Sequence, residues 1–66
     1  MPPQGDDDGI LLEFHRIGAV VKVSAIDPVT NTEVVVQGPA SATQEQLSRT
    51  AIAKLRYVLN KRQGGG

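Results

Sequence analysis

Residues 20–37 read VVKVSAIDPVTNTEVVVQ, and this stretch decides the fold. Two runs of alternating, mostly β-branched residues flank Asp27-Pro28-Val29-Thr30-Asn31-Thr32, a strong turn signal. Pro28 presets the φ of a type I turn, Asp27 can accept backbone N–H groups, and Asn31 tolerates the left-handed conformation. A strand over Val20–Ile26, a turn, and a strand over Glu33–Gln37 are therefore expected. Period two puts Val21, Val23 and Ala25 on one face and Val20, Lys22, Ser24 and Ile26 on the other. In the following strand Val34 and Val36 oppose Val35.

Toward the N-terminus, Gly18-Ala19 marks a tight reversal, and Ile10–Ile17 reads as a further strand. Its Leu12 and Phe14 share one face; Leu11, Glu13, His15 and Ile17 share the other. Toward the C-terminus, Gly38-Pro39 is expected to stop the third strand, because proline cannot donate to a ladder. The period then changes. Leu47, Ala51, Leu55 and Val58, flanked by Ile52 and Leu59, fall within an arc of about 140° at helical spacing. Thr43 with Gln46 is one capping box at the start of this helix, and Ser41 with Gln44 is a competing one. Lys61 and Arg62 suit its C-terminal dipole. The expected fold is α+β: a three-stranded antiparallel β-meander with one C-terminal α-helix packed on one face (β-β-β-α). Residues 1–9, MPPQGDDDG, read as a disordered tail, residues 10–62 as the single domain, and residues 63–66 as a Gly-rich tail.

One helix covers one face of a three-stranded sheet. The more uniformly apolar set, Leu12, Phe14, Val21, Val23, Ala25, Val34 and Val36, is expected beneath it. The other face is left with Leu11, Glu13, His15, Ile17, Val20, Lys22, Ser24, Ile26, Val35 and Gln37. An open antiparallel face is normally polar, and this one is half aliphatic. Leu11, Val20, Ile26 and Val35 are therefore the candidate interface, for a homodimer or another protein partner.

The 66 residues carry seven basic and seven acidic side chains, but unevenly. Residues 1–33 hold two cations against six acids, a net of −4; residues 34–66 hold five cations against one acid, a net of +4. Arg49, Lys54, Arg56, Lys61 and Arg62 make the candidate basic helix face. A weak nucleic-acid contact through it is the alternative reading. It is disfavoured, because the open face has no aromatic platform for bases and few cations.

Chemistry finds little support. With no cysteine there is neither a disulfide framework nor a thiolate metal site. His15 has no second histidine and no activated nucleophile in a recognisable pattern, so a strand histidine at the surface is expected. Asp6-Asp7-Asp8-Gly9 lacks the ligand spacing of a calcium loop. Gly64-Gly65-Gly66 is similar to the ends of conjugated carriers, yet those place a strand, not a helix, before their tail. No catalytic residue, cofactor, metal or small-molecule ligand is expected, and the chain reads as non-enzymatic. The longest wholly apolar run is three residues, against ~20 for a spanning helix, and residues 1–9 lack a signal peptide's pattern. A cytoplasmic protein is expected.

Four segments together, Phe14–Gly18, Val21–Pro28, Gly38–Ala40 and Lys54–Leu59, resemble a family of short, uncharacterised alphaproteobacterial proteins. The likeness spans about residues 12–61, with Val-Ser-Ala-Ile-Asp-Pro its most specific piece. The family's pattern has Gly where this chain has Asn31, which can adopt the same left-handed conformation. The resemblance implies a bacterial cytosolic protein and brings no activity to any residue.

Overall fold

The computed structural model describes residues 9–64. Three strands, β1 (Leu11–Ile17), β2 (Val20–Asp27) and β3 (Thr32–Pro39), form one antiparallel sheet in the order β1-β2-β3. The helix α1 (Gln44–Gly64) follows. This is the expected α+β meander with a C-terminal helix. Helix α1 takes in Gln63 and Gly64, which composition alone assigns to the tail. Residues 1–8, 65 and 66 lie outside the described residues.

The turns fix the register. At Gly18-Ala19 only the glycine has positive φ (62°), which is the pattern of a type II′ hairpin loop closing Ile17 on Val20. Asn31 supplies the left-handed residue (φ 59°) of the second loop, and Asp27 Oδ1 accepts the Val29 N–H at 3.1 Å. The ladder past Pro39 continues with Ala40 N–H donating to the Ala19 carbonyl at 2.8 Å.

Strand β3 does not stop at Gly38-Pro39; it runs through both, with Pro39 opposite Val20. The reason is position. β3 is an edge strand, and the Ala40–Ala19 bond sets an alternation in which Pro39 would aim an N–H away from β2, so none is missed.

The helix starts at the Thr43–Gln46 box. Gln46 N–H donates to Thr43 Oγ1 and Gln46 Oε1 accepts from Thr43 N–H, both at 3.0 Å. It lies over β2 and β3, clear of most of β1. Leu12, Val23, Ala25 and Val34 pack with Leu47, Ala51 and Leu55 in one buried cluster, as the alternation and the helical stripe require. Ile10, just ahead of β1, belongs to it as well. Gly38 is a close approach: a Cβ there would collide with Leu47 Cδ2, so bare backbone forms the seat for that side chain.

Candidate functional site

The side of the sheet away from α1 carries the expected set, and the register divides it into rungs. Leu11, Ile26 and Glu33 lie side by side across the three strands; the next rungs are Glu13–Ser24–Val35, His15–Lys22–Gln37 and Ile17–Val20–Pro39. Sequence parity presents one half-aliphatic face, whereas the structure sorts it into two apolar ends with a polar middle. Leu11 faces Ile26 directly and Val35 sits diagonal to Ile26. Val20 is at the opposite end, beside Ile17. Ile17 (52%), Val35 (44%), Leu11 (39%) and Val20 (37%) are exposed, and Ile26 is half-buried. The exposed His15 stands among polar neighbours, with Lys22 opposite.

The two sheet edges differ. The alternation set by both hairpin closures turns the backbone N–H and C=O of Leu12, Phe14 and Arg16 outward along β1. No proline, lysine or glycine interrupts Leu11–Ile17. Along β3 the outward positions are Glu33, Val35, Gln37 and Pro39. There Pro39 has no N–H to offer, and Lys54 Nζ reaches across from α1 to the Val35 carbonyl at 3.4 Å.

The basic helix residues are individually engaged. Arg49 pairs with Glu45 at 2.8 Å, one turn earlier on the exposed surface. Lys61 Nζ lies 5.6 Å from the centre of the Tyr57 ring. Lys54 holds the Val35 carbonyl, and Arg56 also has a partner. Arg62 Nη1 donates to Thr32 Oγ1 at 2.9 Å, and Thr32 is a buried polar side chain. The Thr30 and Thr32 hydroxyls are 2.8 Å apart, and Thr30 Oγ1 is 2.9 Å from Asp27 Oδ2. Thr30 has one proton and the carboxylate needs it, so Thr32 donates to Thr30. A chain of hydrogen bonds thus leads from the guanidinium at the helix end to the carboxylate at the turn. Nothing in the spacing of the sequence announces this link, which joins residues 30 positions apart.

Among the described residues no group of three His, Cys, Asp or Glu side chains could hold a metal ion. No helix among them is long and apolar enough to cross a membrane. No curated protein and no solved structure matches the chain. One family model does, over residues 7–62: a domain of unknown function (DUF6898). The match covers the whole sheet and nearly all of the helix, and the chain belongs to that family.

Proposed function

We propose that the domain is a non-enzymatic protein-interaction module that associates with its own copy through its sheet. Membership of a family without an assigned activity supplies no chemistry, so the reading rests on the placement of α1. The helix closes one face of β2 and β3 and leaves Leu11, Ile17 and Val20 exposed on the other, beside a β1 edge that no described residue covers. Exposed aliphatics next to free strand hydrogen-bonding groups favour association with another strand over solvent. A domain of this size also leaves much of its surface unburied when it folds alone.

Sedimentation velocity over a dilution series from millimolar protein downward tests the reading. A concentration-dependent dimer is expected. A single monomeric species throughout overturns it.

A further inference from the structure

We infer that two copies pair their β1 strands antiparallel about a twofold axis at Phe14, so that Glu13 of each copy faces His15 of the other. This rests on the self-association proposed above and specifies its geometry.

Three observations lead to it. First, β1 offers outward backbone groups at Leu12, Phe14 and Arg16, and an antiparallel partner must present the same alternation. A twofold centred between two residues would set an open-face side chain against a helix-side one, so the centre must fall on a residue. A centre at Phe14 is the one that uses the full strand, with Leu12 bonded across to the second copy's Arg16 and Phe14 to its own equivalent. About six N–H···O bonds follow from the antiparallel pattern.

Second, the side chains agree with that centre and not with its neighbours. At Phe14, each Glu13 carboxylate faces an imidazole that can donate to it, and Leu11 faces the second copy's Ile17. Moving the centre to Glu13 sets two carboxylates against each other, and moving it to His15 opposes two imidazoles and shortens the overlap. On the other face the half-buried Phe14 meets its equivalent at the axis.

Third, the two apolar ends of the open face become continuous. Leu11–Ile26 at one end of β1 and Ile17–Val20 at the other are apart within one molecule. The twofold brings Ile26 and Leu11 of one copy into line with Ile17 and Val20 of the other, twice. The polar middle is likewise extended as Ser24–Glu13 against the second copy's His15–Lys22. Because α1 stands over β2 and β3, the two helices lie on one side of a six-stranded sheet and leave the junction clear.

The chain has no cysteine, so introduced thiols report the register directly. Positions 13 and 15 would form a pair without mutual backbone bonds, whose Cα separation of about 4.5 Å is within disulfide reach. Two thiols both at position 13, offset along the strands, would not be. Glu13→Cys and His15→Cys proteins are mixed, allowed to exchange and oxidised. Covalent dimer is expected from the mixture and not from either variant alone, while Val35→Lys leaves the non-covalent dimer intact. A wild-type dimer whose mixed variants give no excess of cross-link overturns this register and leaves self-association standing. So does one that Val35→Lys dissolves, which moves the contact to the open face. A monomeric wild type overturns both.

Discussion

Strands β1 and β3 are both edges of the same sheet and are similar in length, yet among the described residues only one is guarded. β3 ends in a proline without an N–H, and one of its outward carbonyls is held by Lys54 from the helix. β1 has neither device among the described residues, and the helix stands clear of most of it. The difference is a matter of chain connectivity. A helix that follows β3 directly packs on β3 and its neighbour, so its side chains can reach the near edge and not the far one. Protection of an edge requires nothing extra where a docked element is already adjacent. The far edge must be guarded by its own residues, or used.

Loosening the helix carries the largest expected effect. Leu55 has no exposed surface, so Leu55→Ala is expected to cost about 2–5 kcal/mol in urea or thermal unfolding. A cost below about 1 kcal/mol, the scale of an ordinary surface substitution, would mean that the helix does not define the difference. Next, β1 can be given the guard that β3 has. Arg16 turns its N–H away from β2, so Arg16→Pro spares the internal ladder. It is expected to weaken the dimer by about 2 kcal/mol, roughly 30-fold in Kd, with an unchanged far-UV CD spectrum. An unaffected dimer would mean that the outward N–H groups of β1 do not hold the two copies together. The converse change, Pro39→Ala, restores a donor to β3. About 1 kcal/mol of new edge attraction is expected, seen as weak species beyond the dimer in sedimentation at high concentration. The smallest effect belongs to Lys54→Met. A long, exposed contact of this kind is worth at most about 0.5 kcal/mol of stability, and chemical denaturation should barely register its loss.

Much of this fold is legible in the sequence. The alternation of Leu12 and Phe14, of Val21, Val23 and Ala25, and of Val34 and Val36 names the covered face, and Leu47, Ala51 and Leu55 name the stripe above it. Gly18 and Asn31 are read correctly because left-handed φ has few tenants. Thr43 and Ser41 cannot be ranked as caps from residue type alone, since both stand three residues before a glutamine; in the structure the reciprocal bonds fall at Thr43. Pro39 misleads for a physical reason: its missing N–H ends an inner strand but not an edge one, and edge status is a property of the sheet. The interaction surface is legible by membership and not by arrangement. Parity places Leu11, Val20, Ile26 and Val35 on one side, whereas their separation into two ends depends on where the hairpins close. The partners of Arg62 and Lys54 lie too far along the chain for any local pattern to reveal them.

The seat that Gly38 provides for Leu47 also constrains how the sequence can drift. A methyl group at position 38 must evict the Leu47 side chain from a buried site, and overpacking of this kind costs about 1–3 kcal/mol. Position 47 can shrink first and leave a void that a later alanine at 38 would partly fill. The two substitutions are therefore not independent, and their order matters. A path through the smaller residue at 47 ends in a repacked pair, whereas a path that opens at 38 must first cross an overcrowded core.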